Sequence, residues 1–119
     1  MTTIKNFEDL KARQKARELA GHIYTLTRKQ KFSKDFGLCN QIQEAAGSAM
    51  HNIAEDFESG YDPEFIRFLK MARRSAGEVQ SELYLELDLG HITQEELKKA
   101  YDLAVDTKKL INGMISYLS

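Results

Sequence analysis

Ser48, Asn52 and Glu55 are separated by four and three residues, and Ser75, Glu78 and Glu82 by three and four. On a helix such spacings place each set on one face. Hydroxyls and amides can donate hydrogen bonds, whereas ionised carboxylates only accept them. Two such rows facing each other would therefore form a polar seam in which donors meet acceptors. A basic residue such as Arg74, or one from another subunit, would compensate the charge, because an isolated buried carboxylate is costly. This explains why Ala49-Met50-His51-Asn52-Ile53-Ala54-Glu55-Asp56 mixes polar groups with core-type residues. Asn52 and Glu55 are expected to fix helix register and assembly, with His51 pointing outward.

Catalytic templates find no match. A di-iron bundle needs carboxylates on four helices and two Glu-x-x-His pairs, whose spacing aims both ligands inward. Glu18 with His22 and His51 with Glu55 are spaced by four instead, and Asp88 and His91 straddle an expected helix end. There is no glycine-rich phosphate loop, zinc-type cysteine pairing or serine elbow. Cys39 is the only cysteine, so it has no internal disulfide partner and is expected to fill a small apolar core position. The expectation is a protein without enzymatic activity, metal or cofactor.

Charge is distributed unevenly. Residues 1–34 hold nine Lys or Arg against three acids, residues 35–66 hold seven acids and no Lys or Arg, and the remainder balances at eight each. Lys11, Arg13, Lys15, Arg17, Arg28, Lys29, Lys31 and Lys34 therefore make a candidate nucleic-acid surface. The simpler reading is attraction between the first and second helices, or between neighbouring subunits.

Four helical segments must position these groups. Asn6 is expected to cap the first, which runs to about Gln30 with Glu8 and Asp9 in its first turn and Ala12, Ala16, Leu19, Ile23 and Leu26 as its core stripe. After Lys29-Gln30-Lys31, Ser33 is expected to cap a second helix from about Lys34 to Glu58, with Leu38, Ile42, Ala45, Ala49, Ile53 and Phe57 on one face. Gly60-Tyr61-Asp62-Pro63 predicts a turn and restart, since proline at the first helical position sacrifices no needed hydrogen bond.

The third helix carries Phe65, Leu69, Ala72, Ala76, Val79, Leu83 and Leu87 inward, and Gly90 stands where a left-handed C-terminal residue is expected. Thr93-Gln94-Glu95-Glu96 reads as a capping box opening a fourth helix. That helix carries two adjacent apolar rows, Leu97, Ala104, Ile111 and Leu118 beside Leu103, Leu110 and Tyr117. Ala45-Ala46-Gly47-Ser48-Ala49 and Ala72 with Ser75-Ala76-Gly77 are read as sites of close helix approach, which would offset a glycine cost of about 1 kcal/mol each.

With 119 residues and 42% hydrophobic content, the chain can bury a core as one domain spanning residues 1–119. Short connections favour an all-α, up-down-up-down antiparallel four-helix bundle. Helices of about 25 residues would be roughly 37 Å long. Such a slender body leaves much side surface, and the wide apolar face of the last helix predicts self-association. The N-terminal MTTIKNFEDLKAR lacks the apolar core of a signal peptide, and no stretch is apolar enough to span a bilayer. A cytoplasmic location, without membrane contact, is expected.

The residues also resemble a known group, the bacterial four-helix bundle proteins related to those encoded in intervening sequences of 23S ribosomal RNA genes. The likeness runs through Phe7-Glu8-Asp9-Leu10, Gln14-Lys15-Ala16, Gly37-Leu38, Gln41-Ile42, Ala45 and Ser48, and is sharpest at Asn52-Ile53-Ala54-Glu55. It continues through Glu64-Phe65, Phe68-Leu69, Ala72, Ser75 and Glu78. The resemblance implies a four-helix subunit assembled into a homopentamer with no established enzymatic activity. Similar accessory proteins of diversity-generating retroelements use a basic pentameric surface to engage nucleic acid and a reverse transcriptase. This chain departs from the family pattern at Gln43-Glu44, where a basic pair is common, at Arg13, where tryptophan is common, and at Asp56, where glycine is common. The first departure removes positive charge from the second helix, which weakens a phosphate-binding role there.

Overall fold

The computed structural model describes residues 2–54 and 63–118. Its first helix, α1, spans Thr2–Thr27. It starts four residues before Asn6, which lies inside the helix and not at its N-cap. The stripe Ala12, Ala16, Leu19, Ile23 and Leu26 is buried as expected. After Thr27 the chain makes a single extra helical turn, α2 (Gln30–Ser33), which seats Phe32 wholly in the core. The polar run around Phe32 disguises this turn in the sequence, because one buried side chain carries no periodicity.

Helix α3 spans Phe36–Ala54. Its cap is Asp35, whose Oδ1 accepts the Leu38 N–H at 3.3 Å, and not Ser33, whose hydroxyl donates to the Gln30 carbonyl at 3.0 Å. Inserting α2 shifts the restart by two residues, and the aspartate then occupies the position from which a side-chain oxygen reaches the exposed N–H groups. Ile42, Ala45, Ala49 and Ile53 are buried, while Leu38 is half-buried. Phe57, the expected helix end at Glu58 and the turn Gly60-Tyr61-Asp62 lie outside the described residues.

Helix α4 spans Pro63–Asp88, Pro63 being the first described residue after 54. Its end is a complete Schellman motif: Gly90 takes φ +76°, its N–H donates to the Leu87 carbonyl at 3.0 Å, and the His91 N–H donates to the Glu86 carbonyl at 2.9 Å. Helix α5 (Gln94–Leu118) begins with the predicted capping box. The Thr93 N–H donates to Glu96 Oε1 at 2.8 Å, and the Glu96 N–H donates to Thr93 Oγ1 at 3.1 Å.

α1 packs on α3 and α5, and α4 packs on the same two, so the order around the bundle is α1, α3, α4, α5. This is the antiparallel four-helix bundle, 47 × 23 × 17 Å, with α2 as a short addition at one end. The core falls into two clusters. One gathers Leu19, Ile23, Phe32, Ile42, Val79, Leu83 and Leu97; the other gathers Ala12, Ala16, Ile53, Phe65, Leu69, Ile111 and Met114. Each buried large side chain contributes about 1.5–3 kcal/mol. Along α3, α4 and α5 the positions between the two clusters hold Ser48, Ser75 and Thr107 beside the buried Ala49 and Ala76, so the bundle has a waist of small residues, three of them polar. Thr107 is fully buried and donates to the Leu103 carbonyl at 2.8 Å.

The glycines are not the points of closest helix approach. A Cβ on Gly47 would meet only the His51 ring at 3.9 Å, and one on Gly77 only the Lys108 ammonium at 3.9 Å. Close packing is carried instead by Ala46, Ala49, Ala72 and Ala76, all fully buried.

Candidate functional site

Among the described residues three places concentrate polar chemistry. The first is the waist between α3 and α4. Ser75 Oγ donates to Ser48 Oγ at 2.8 Å, and Asn52 Nδ2 donates to Ser48 Oγ and to the Ser48 carbonyl, each at 2.9 Å. Of the expected meeting of the two polar rows, one hydrogen bond crosses between the helices, Ser75 to Ser48; Asn52 bonds within α3, and neither Glu78 nor Glu82 receives a donor from the facing row. Glu55 lies outside the described residues. Glu78 and Glu82 do not join this hydrogen-bonded chain; they line an adjoining groove of about 350 Å³ with Gln41, Glu44, Ala45, Ser48 and Ser81. Burial, and after it the Glu78 charge, pushes the Glu82 carboxyl above its ordinary value, and its Oε1 is buried without a hydrogen-bond partner. Arg74 is exposed, and His51 points outward as expected.

The second place is on the opposite side of the bundle. Between α1 and α5 lies a broader groove of about 940 Å³, lined by Lys11, Gln14, Lys15, Arg17, Glu18, Asp106, Lys109 and Leu110. Four cations face two carboxylates there, and Lys15 pairs with Glu18 at 2.9 Å. The sequence-predicted basic set is thus divided. Lys11, Lys15 and Arg17 line this groove and Arg13 is half-buried on the same helix, while Arg28, Lys29, Lys31 and Lys34 are exposed around α2. Lys29 is tied to Glu96 at 2.6 Å, joining the end of α1 to the start of α5. The Lys31 ammonium lies over the Gly90 turn.

Sequence reasoning missed the third place, at the end of the bundle that carries α2. Glu86 is fully buried, and neither carboxylate oxygen has a hydrogen-bond partner. His91 Nε2 stands 3.8 Å from Glu86 Oε1 and 3.3 Å from Asp35 Oδ2, and its ring stacks on Phe32 with centroids 5.3 Å apart. His91 Nδ1 is buried without a partner. Burial first, then the Asp35 and Glu82 charges, raise the Glu86 carboxyl to about 7. Cys39 closes the same end, where its thiol donates to the Phe32 carbonyl at 3.1 Å. Burial, followed by the Glu86 and Asp35 charges, pushes that thiol upward. The signal for Glu86 was a seven-residue step from Phe65 through Ala72 and Val79, which lands on Glu86; Leu87, assigned inward from the sequence, is only half-buried.

The departures from the family pattern find local uses. Gln43 Nε2 donates to Thr27 Oγ1 at 2.9 Å, bridging α3 to the end of α1, and Glu44 lines the acidic groove. Among the described residues no three His, Cys, Asp or Glu side chains converge to hold a metal ion. Also among them, no helix is long and apolar enough to cross a membrane.

These features define a four-helix-bundle protein with polar chemistry, among its described residues, in a waist, two opposed grooves and one buried end. Over residues 8–113 the chain matches the family model described as 23S rRNA-intervening sequence protein, and it belongs to that family. The resemblance drawn from Asn52-Ile53-Ala54-Glu55 and its neighbours is thereby borne out. The chain is also similar in fold to a solved Bacteroides thetaiotaomicron protein of unknown function from the S23 ribosomal protein family. The two share 24% identity and a TM-score of 0.83, over 92% of this chain and 98% of that one. No curated protein matches.

Proposed function

We propose that this protein is a non-enzymatic, cytoplasmic homo-oligomer serving as an assembly or binding module, with five subunits as the family resemblance implies. The supporting observation is the opposition of the two grooves. In the order α1, α3, α4, α5 the α1/α5 edge is opposite the α3/α4 edge, and the first is predominantly basic while the second carries Glu44, Glu78 and Glu82. Complementary patches on opposite faces suit a head-to-tail contact, which closes into a ring when the rotation between subunits allows it. Tyr84 and Leu85 on α4, Leu89 just past its end and Tyr117 on α5 remain exposed and supply apolar area for such a contact.

Light scattering after gel filtration tests this reading, with an oligomer expected at micromolar concentration and a monomer overturning it. Reversing charge on one face, by Glu78→Lys with Glu82→Lys or by Lys11→Glu with Lys15→Glu, should give monomers. Mixing the two variants should restore association, since the intact basic groove of one meets the intact acidic groove of the other.

The basic groove also supports a second reading, weak binding of RNA or DNA phosphates. Binding would then fall steeply with salt, and Lys11→Glu with Lys15→Glu would weaken it for all sequences alike. Because the same groove serves both readings, oligomer formation and nucleic-acid binding should compete.

A further inference from the structure

A Schellman motif is commonly accompanied by an apolar contact between the residue two beyond the helix end and one in its last turn. Here those two positions are His91 and Glu86, so an ionisable pair occupies the place of the usual hydrophobic contact. Asp35 extends the pair. With Oδ1 it caps α3, and with Oδ2 it meets His91, so a single imidazole lies between the cap of α3 and the last turn of α4. We propose that Glu86, His91 and Asp35 form a proton-operated clasp that holds the α2 end of the bundle closed when Glu86 carries a proton and loosens it when that proton leaves.

The groups facing Glu86 leave an ionised carboxylate little support. Glu82 lies one turn back on α4, Asp35 and Cys39 come from the start of α3, and His91 comes from the turn before α5. Two of these are acids. Phe32 of α2 covers the imidazole on one face, and Lys31 sits over Gly90 at the edge of the turn. A protonated Glu86 is neutral in this apolar setting. An ionised one has no donor on either oxygen and competes with Asp35 for His91, and admitting water through the Gly90 turn is the available relief. The carboxyl raised to about 7 by burial and by its acidic neighbours puts the transition near neutral pH.

Cys39, the only cysteine, reports opening directly because it is buried at this end. Its labelling by a thiol reagent would be measured from pH 5 to 8, divided at each pH by the rate for the urea-unfolded chain. Amide exchange at Cys39 and at His91 would be followed in parallel. The opening constant should rise about tenfold per pH unit between pH 5 and 7 and level off above, since the opened carboxyl titrates near its ordinary value. Glu86→Gln, which keeps shape but cannot ionise, should abolish the slope, and Glu86→Leu should abolish it as well if the glutamine variant folds poorly. A flat profile in the unmodified protein, or an unchanged slope in a folded Glu86 variant, overturns the clasp.

Discussion

The waist and the α2 end both bury polar groups between α3 and α4, yet they resolve the same physical problem in different ways. At the waist a neutral amide and two hydroxyls pass hydrogen bonds from Asn52 and Ser75 to Ser48. Each group there can donate as well as accept, so a short chain closes without any net charge. At the α2 end the central group is a carboxylate with no donor of its own once ionised, and the nearest imidazole nitrogen is 3.8 Å away. The hydrogen-bonded chain at the waist therefore contains no titrating group, whereas the end depends on a proton. Burying polar groups costs little when donors and acceptors are matched in number, and much when only acceptors are supplied.

The sharpest way to break this comparison is to measure stability against pH. The folded carboxyl of Glu86 is raised to about 7, so between its unfolded value and 7 the native state holds a proton that the unfolded chain has lost. Its contribution is full below the unfolded value, falls as pH rises, and is gone above 7. A shift of this size corresponds to about 3 kcal/mol at most. Urea unfolding of the unmodified protein and of Glu86→Gln should therefore diverge by up to that amount across pH 4.5 to 7.

A smaller effect is expected at the waist. Ser48→Ala removes the shared acceptor and strands the Ser75 hydroxyl, which is 6% exposed, and this should cost about 1–2 kcal/mol at every pH. Adding Ser75→Ala should recover part of that loss, because no buried donor is then left unmatched. A full, additive double-variant cost would show that the two hydroxyls act independently.

The smallest change concerns Gly77, where an added methyl has room. Gly77→Ala should stabilise the folded subunit by about 0.5–1 kcal/mol through lower backbone entropy in the unfolded chain. If it lowers the oligomer fraction instead, the glycine is serving a contact between subunits.

Much of the fold was legible in the sequence because punctuation and period agreed. Gly90 and the Thr93–Glu96 box each stand where the backbone requires their chemistry, and the apolar stripes of α1 and α4 were read nearly intact. What escaped had no periodic signature. Phe32 is a single anchor inside a polar run, so α2 and the displaced cap at Asp35 were invisible. The seam was half legible: helical spacing brought Ser48, Asn52 and Ser75 together, but residue type alone does not say that Glu78 and Glu82 turn into a groove instead. Glu86 was hidden by the general rule that glutamates face water, and only its register with Phe65, Ala72 and Val79 argued otherwise.

The turn between α4 and α5 also bears on the order in which the molecule is built. Two helices of 26 and 25 residues are joined by five residues, with one helix end closed by the Gly90 motif and the next opened by Thr93 and Glu96. Closing so short a loop costs little chain entropy, and the contacts it brings are local in sequence. This hairpin is thus the natural early unit of folding, onto which α1 and α3 must dock from farther along the chain. Glu86 belongs to that hairpin, while Asp35, whose charge acts on it, comes from the start of α3, so the pair is a long-range contact that the hairpin alone does not supply.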